Sequence, residues 1–316
     1  MLNTGVLGAS SLVGARAMPI LIRDDRRVYA FSRHTEHRTT EAGVTWVALP
    51  LPSADAHDRF RIRTWLSLMP IWILPQYFSM IEASGACRVV ALSSASIVVK
   101  SDSSDQGERD LARRLVEGEQ ALRAWAESRG IEWVILRPTL IYGCGLDKNI
   151  SEVARFVHRF DFFPLLGRAM GLRQPIHAED VAAACVMALT VPTAANRTYN
   201  FSGGETLPYR EIVCRVFSAL GKQPRLVTIP LWMFRVAVVL LRVVPRYQHW
   251  TAEMATRMNR DVVFDHAEAA RDLGLSPRPF VLSPEDLRHE VQPGTATACA
   301  GPPVGKGANL PDHISL

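Results

Sequence analysis

The sequence predicts an α/β fold, a doubly wound parallel sheet followed by a smaller, mainly helical lobe. Three observations predict it. Short β-rich runs alternate with helical stretches through the first half. A glycine-bearing turn, Gly8-Ala9-Ser10-Ser11-Leu12-Val13-Gly14, joins the first strand to the first helix. Past Leu140 the alternation loosens into helices joined by longer loops. With 316 residues and 48% hydrophobic content, the chain can bury one large core and a second, smaller one.

Leu2–Leu7, Val28–Ser32, Val44–Leu49, Thr64–Leu68, Arg88–Leu92 and Trp133–Leu136 read as strands. Leu12–Arg23 reads as a helix kinked by Pro19, and Gln76–Ser84 as another. Gln106–Arg129 is the clearest helix, because Leu111, Leu115, Leu122 and Trp125 recur at helical spacing and Gly130 closes it. In the second half, Val153–Phe160, Asp180–Leu189, Tyr209–Leu220, Trp232–Val244 and His266–Leu273 read as helices. Short strands fall near Gln174–Ile176 and Thr198–Ser202. The expected division is a dinucleotide-type domain over residues 1–145, a lobe over 146–289 interleaved with the last part of the sheet, and a disordered tail over 290–316. That tail is rich in Gly, Pro, Ala and Thr.

Charge and cysteine content narrow the function classes. A net charge of +5 is spread along the chain with no run of five basic residues, so nucleic acid is not an expected partner. The five cysteines are scattered without a Cys-x-x-Cys pair, which argues against a disulfide framework and against a metal site. Apolar stretches near Ser67–Ile81 and Pro230–Pro245 are broken by prolines or arginines, so no transmembrane segment is expected. A cytoplasmic location fits a chain that opens on an apolar strand with no signal-peptide pattern. A small-molecule substrate is the expected partner, and a homodimer is left open.

The turn after the first strand points to a dinucleotide cofactor. Such a turn aims backbone N–H groups and the positive end of a helix at a pyrophosphate, and small residues let the backbone approach it. Gly8, Ser10, Ser11, Leu12 and Gly14 are therefore the first candidate cofactor contacts. The second strand ends Phe31-Ser32-Arg33-His34. NAD binders place a carboxylate there for the ribose 2′-hydroxyl, and none is present. Ser32 and Arg33 instead suit a 2′-phosphate, so NADP is the expected cofactor, with NAD as the alternative. Leu68 and Pro138, at the ends of later strands, complete the candidate set.

Gly8-x-x-Ser11-x-x-Gly14 resembles the G-x-x-G-x-x-G of the extended and atypical short-chain dehydrogenase/reductase superfamily, the NAD-dependent epimerase/dehydratase group, with Ser11 at the middle glycine. Three further segments resemble the same group in the same order: Leu136-Arg137-Pro138 through Tyr142-Gly143, Gln174-Pro175-Ile176-His177 through Ala182, and Tyr199-Asn200-Phe201-Ser202-Gly203-Gly204. The resemblance implies a Rossmann-like fold and an NAD(P)-dependent oxidoreductase or epimerase acting on a nucleotide sugar or another small carbonyl or hydroxyl compound. It also implies that Arg173 and Arg278 sit where nucleotide-sugar enzymes of the group hold a diphosphate.

The group's Tyr-x-x-x-Lys pair is missing. None of the six tyrosines has lysine four residues on, and aligning Glu119 with the group's glutamate puts Leu111 and Leu115 at the tyrosine and lysine places. The serine-rich turn Leu92-Ser93-Ser94-Ala95-Ser96 puts Ala95 at the catalytic hydroxyl and leaves Ser94 and Ser96 as substitutes. Tyr142 is a third catalytic candidate, bordering the nicotinamide or packing in a core. His177 is expected to cap the helix that follows it, and Lys148 is either a substrate-anion contact or an ordinary loop lysine. The alternative reading is a catalytically silent NADP(H)-binding regulator or scaffold, a role that the resemblance associates with relatives of the complex I accessory-subunit type.

Overall fold

The protein is described by a computed structural model that covers residues 2–33, 43–49, 61–147, 149–234 and 252–287. His34, Lys148, residues 235–244 of the expected helix and the 290–316 tail lie outside the described residues. Of that helix, residues 232–234 are helical, together with Leu231 before them.

In chain order the first elements are β1 (Leu2–Leu7), α1 (Leu12–Arg23), β2 (Arg26–Ser32), β3 (Val44–Ala48) and β4 (Thr64–Ser67). A 3-10 helix (Ile71–Tyr77), α2 (Phe78–Ala83), β5 (Arg88–Leu92), α3 (Ile97–Ser101), α4 (Gln106–Ser128), β6 (Glu132–Pro138) and β7 (Ile141–Tyr142) follow. Then come α5 (Ile150–Phe160), β8 (Phe163–Leu166), β9 (Leu172–Arg173), β10 (Ile176–His177), α6 (Ala178–Ala188) and β11 (Arg197–Phe201). Last are β12 (Leu207–Pro208), α7 (Tyr209–Ala219), β13 (Leu226–Ile229), α8 (Ala252–Asn259), α9 (Ala267–Leu273) and α10 (Pro284–Leu287).

The chain forms two compact units. Unit 1 comprises Met1–Thr139, Ile176–Gly204 and Phe264–Arg278, and unit 2 the remaining segments, Leu140–Pro175, Glu205–Val263 and Pro279–Leu316. Unit 1 contains a seven-stranded sheet in the order β11-β6-β5-β4-β1-β2-β3, every neighbouring pair parallel. This is the predicted doubly wound sheet. A sheet covered on both faces needs apolar side chains on both, which is why β5 is Arg-Val-Val-Ala-Leu instead of an alternating strand. One face packs Leu7, Trp65, Val89, Ala91 and Ile135 against Ile71, Leu115 and Leu122. On the helical side, α1 packs on α6.

Local chemistry fixes the ends of α4. Asp105 caps it by accepting from the Glu108 amide at 3.0 Å, and the buried Glu108 carboxylate accepts from Ser103 Oγ at 2.5 Å. Gly118, in mid-helix, lets α4 come so close to the 3-10 helix that a Cβ there would lie 2.8 Å from the Trp72 backbone nitrogen. In unit 2, Tyr142, Val153, Val157, Leu165, Val213, Phe217 and Phe280 form a separate core, and β8 pairs in parallel with β13.

The differences from the sequence reading are local. The expected helix over 76–84 is a 3-10 turn followed by α2, with Pro70 and Pro75 shaping its start. α1 runs on through Pro19. The single strand expected at 174–176 is two short ones, β9 and β10. α3, β7, β8 and β13 were not foreseen, because each is five residues or fewer and too short to show a period.

Candidate functional site

The carboxyl edge of the unit 1 sheet gathers most of the sequence-predicted site residues. The Gly8–Gly14 turn follows β1, Ser32 and Arg33 end β2, Leu68 follows β4, Ser94 and Ser96 follow β5, and Pro138 ends β6. β2, β1, β4, β5 and β6 are consecutive in the sheet, so these residues line one continuous edge. Ligands of open α/β sheets bind at that edge.

The turn itself is built for close approach. Gly8 has φ +78°, and a Cβ there would lie 2.9 Å from the Leu68 backbone carbon, so both conformation and space demand glycine. The Ser11 amide closes the turn on the Gly8 carbonyl at 2.9 Å. Gly14 lets α1 sit against the turn, since a Cβ would meet the Gly8 and Ala9 carbonyl oxygens at 2.5 Å. Ser11 is the helix cap: its Oγ accepts from the Gly14 amide at 3.1 Å, which leaves the hydroxyl proton to donate elsewhere. The amides of Leu12 and Val13 have no backbone acceptor among the described residues. Two N–H groups, a hydroxyl proton and the positive end of a twelve-residue helix thus converge where an anion would be held.

Beside the turn, Leu7 pairs with Phe31 on one side and Ser67 on the other. Arg33 is exposed at the end of β2, and the Ser32 carbonyl accepts from the Leu49 amide at 2.9 Å. Leu68 is buried, and its amide donates to the Leu7 carbonyl at 2.8 Å, so its backbone forms the floor under Gly8. The Pro138 carbonyl accepts from the Ala95 amide at 3.0 Å and ties the β5 turn to the end of β6. In that turn Ser94 and Ser96 share a hydrogen bond between hydroxyls 2.8 Å apart, and Ala95 is buried. Sequence reasoning did not single out Ser67 and Ser93. Their hydroxyl oxygens are buried without a partner at the same edge.

Where a phenol and an ammonium group would be expected, Leu111 and Leu115 join the apolar core of unit 1. The aligned Glu119 is a structural anchor. It receives Arg137 Nε and Nη2 at 2.8 and 2.5 Å and Arg123 Nη2 at 3.3 Å, pinning α4 to β6.

The remaining candidates are occupied within their own units. Tyr142 is buried in the unit 2 core, edge-on to Phe280 with centroids 4.8 Å apart, and its hydroxyl donates to the Val281 carbonyl at 3.3 Å. That is the packing alternative of the sequence reading. Arg173 is buried, and its Nη1 donates to the carbonyls of Leu172 at 2.7 Å and Arg260 at 2.6 Å, while Nη2 donates to that of Arg257. Burial holds its pKa below the usual guanidinium range. This geometry makes Arg173 a clasp on the C-terminal end of α8 and the residue that follows it. Arg278 is likewise engaged: Nε donates to Asp180 Oδ1 at 2.9 Å and Nη1 to Glu179 Oε2 at 3.0 Å, with its amide on Asp180 Oδ2 at 3.0 Å. His177 caps α6, its Nδ1 accepting from the Glu179 amide at 3.2 Å, as its position in the sequence implied. Burial and the Asp272 carboxylate, which accepts from its hydroxyl at 2.9 Å, push the Tyr199 phenol up to about 12. Burial pushes the Tyr209 phenol up as well.

A parallel sheet in this strand order, with a glycine turn under a capped helix at its carboxyl edge, defines a Rossmann-like α/β protein. Residues 77–202 match the NAD dependent epimerase/dehydratase family, the group that the motifs resemble. UDP-glucose 4-epimerase of Vibrio cholerae is 26% identical over 136 residues, 43% of this chain and 42% of that protein. NADH dehydrogenase [ubiquinone] 1 alpha subcomplex subunit 9 of Arabidopsis thaliana mitochondria is 28% identical over 150 residues, 47% of this chain and 35% of that one. The chain thus spans less than half the length of these curated relatives. The fold is similar to UDP-glucose 4-epimerase of Thermotoga maritima, solved with UDP-glucose (TM-score 0.65, 15% identity, 91% of this chain and 97% of that one). It is also similar to UDP-glucuronic acid 4-epimerase of Bacillus cereus, solved with UDP-glucuronic acid and NAD (TM-score 0.65, 14% identity, 90% and 96%).

Proposed function

We propose that this chain binds NADP(H), with NAD(H) as the weaker ligand, and acts as an epimerase- or reductase-like enzyme on a small carbonyl or hydroxyl compound. The observation that carries the reading is the β1–α1 turn, where Gly8 lies against the Leu68 backbone and two helix-start amides have no backbone acceptor among the described residues. The residues present fit a dinucleotide. In this reading the Leu12 and Val13 amides and the Ser11 hydroxyl hold the pyrophosphate, and Gly8 gives it clearance. Ser32 and Arg33 receive the 2′-phosphate, Arg33 through a guanidinium whose planar fork matches phosphate geometry. The bound cofactor would supply the hydride acceptor or donor.

The chain's own contribution to proton movement is small. The Ser94–Ser96 pair keeps one hydroxyl proton beyond the one it shares internally, enough to donate a hydrogen bond to a substrate oxygen. Serine hydroxyls do not titrate near neutrality, so this pair orients a substrate better than it ionises one. That weakness favours a second reading, a holder of NADP(H) without turnover, supported by the apolar packing of Leu111, Leu115 and Ala95, the residues that the resemblance aligns with the group's reacting side chains.

One experiment separates the two. Calorimetric titration with NADP(H) and NAD(H) is expected to show binding, with NADP(H) tighter. Turnover is then followed by nicotinamide absorbance and by product analysis against nucleotide sugars and simple carbonyl compounds. Binding without any product across that panel would leave the holder; absence of binding would remove both readings.

A further inference from the structure

Unit 2 carries an aromatic and basic surface along the β8–β13 ribbon that the cofactor reading does not use. At one end Phe156 packs on Phe160, Phe162 and Phe163 with centroids 4.7, 5.6 and 5.5 Å away, and Phe160 and Phe162 are exposed. The Arg159 guanidinium lies 5.2 Å from the centre of the Phe160 ring. Arg225, exposed at the start of the partner strand, accepts from the Phe163 amide at 2.9 Å through its carbonyl. Val227 is exposed on β13, and past the strand's end Trp232 is 68% exposed, beside exposed Met233. Arg168 and Met170, beyond β8, are exposed too.

The sequence running through this ribbon is basic. From Ile212 to Ala252 the sequence holds no Asp or Glu, while Arg225, Arg235, Arg242 and Arg246 add to the basic residues Arg215 and Lys222, which pair with Glu205, Glu211 and Asp161. The nearby Asp161 is neutralised by Lys222 Nζ at 2.5 Å. Aromatic rings at the water boundary, with exposed guanidinium groups beside them and their one neighbouring acid, Asp161, paired to Lys222, complement an interface that is greasy below and anionic above.

We propose that unit 2 docks on the surface of an anionic lipid bilayer through this ribbon. Trp232, Phe160 and Phe162 enter the headgroup boundary and Arg225, Arg159 and Arg168 meet lipid phosphates. No helix among the described residues is long and apolar enough to cross a membrane; the proposed contact is with the bilayer surface. The proposal stands independently of any cofactor.

The test is co-sedimentation of the full chain with phosphatidylcholine vesicles, with and without phosphatidylglycerol, at low and high salt. The chain should pellet with the anionic vesicles only, and less at high salt. Arg225→Ala should weaken binding about fivefold, and Trp232→Glu and Phe162→Glu should each release the protein with an unchanged melting temperature. No binding to anionic vesicles, equal binding to neutral ones, or full binding by both glutamate variants would overturn the proposal. So would a dimer in light scattering that Trp232→Glu dissociates without any vesicle binding, which would assign the ribbon to a second copy of the chain.

Discussion

The β1–α1 turn and the surroundings of Arg173 both match a motif of the same protein group, yet they treat their polar groups in opposite ways. At the turn, the Leu12 and Val13 amides have no backbone acceptor among the described residues, and the Ser11 hydroxyl spends only its acceptor side on the helix cap. At Arg173, three main-chain carbonyls take up the guanidinium. A motif places a residue in the chain, and an account of its partners decides whether it is available to a ligand. The turn therefore keeps polar groups open to a ligand, while the Arg173 guanidinium is engaged by the chain itself.

That contrast can be broken by paired substitutions with opposite readouts. Ser11→Leu should abolish dinucleotide binding, a loss of about a hundredfold or more, because the larger side chain intrudes where two or three charge-assisted hydrogen bonds would form. Its cost in stability should be only about 1 kcal/mol, the worth of the lost cap. Calorimetric titration and thermal melting of one preparation check both halves. Retained binding would mean that the pyrophosphate does not lie on this turn.

Arg173→Ala should do the reverse. Three part-buried carbonyls lose a charged donor at once, and the end of α8 loses its clasp, so unfolding should become easier by roughly 2–3 kcal/mol. Dinucleotide affinity of the folded protein should not change. Denaturant titration measures the first effect. A variant of parental stability would return Arg173 to the list of ligand contacts.

The same contrast explains what the sequence made legible. The strands of unit 1 could be read because a doubly covered parallel sheet needs uninterrupted apolar runs, such as Arg88–Leu92. The turn could be read because its glycines answer to local sterics, Gly8 above all. β8 and β13 could not, since four residues show no period and β13 is half-exposed. The engagement of Arg173 was beyond reach because its acceptors are carbonyls 84 and 87 positions away, as well as its immediate neighbour, and a carbonyl has no residue identity to recognise. The two alternatives for Tyr142 could not be separated for a similar reason: its segment matched, but Phe280 and Val281, which pack on and bond it, lie far along the chain. Gly118 left a fair signal, a glycine in mid-helix, whose cause is the close approach of the 3-10 helix.

Arg33 sharpens the comparison at the other end of the proposed cofactor. It is exposed just past the end of β2, the strand that pairs directly with the turn's own strand β1. Arg33→Asp exchanges a phosphate partner for a ribose acceptor, so the ratio of NADP(H) to NAD(H) affinity should fall by about tenfold or more, the worth of one hydrogen bond to a charged group. Titration with both cofactors reads the ratio directly. An unchanged ratio would remove Arg33 from the site while leaving the turn untouched.

The smallest expected effect is that of Ser11→Gly, and it is the most discriminating about how the turn works. Ser11 has φ −70° and ψ 166°, an extended conformation that any residue adopts, so glycine is not needed there for backbone reasons. Its Oγ caps α1 by accepting from the Gly14 amide. Replacing a serine cap by glycine costs only a few tenths of a kcal/mol, so the melting temperature should barely move. Affinity then reports the hydroxyl alone. If the Ser11 proton donates to the pyrophosphate, its loss should weaken binding by about 0.5–1.5 kcal/mol, or up to roughly tenfold. If the hydroxyl serves only the cap, affinity should stay constant or rise slightly as the side chain's bulk is removed. Titrating Ser11→Ala alongside separates the two roles: alanine removes both cap and donor at a stability cost of about 1 kcal/mol, so an affinity equal to that of Ser11→Gly would place the effect on the hydroxyl proton and not on the helix end.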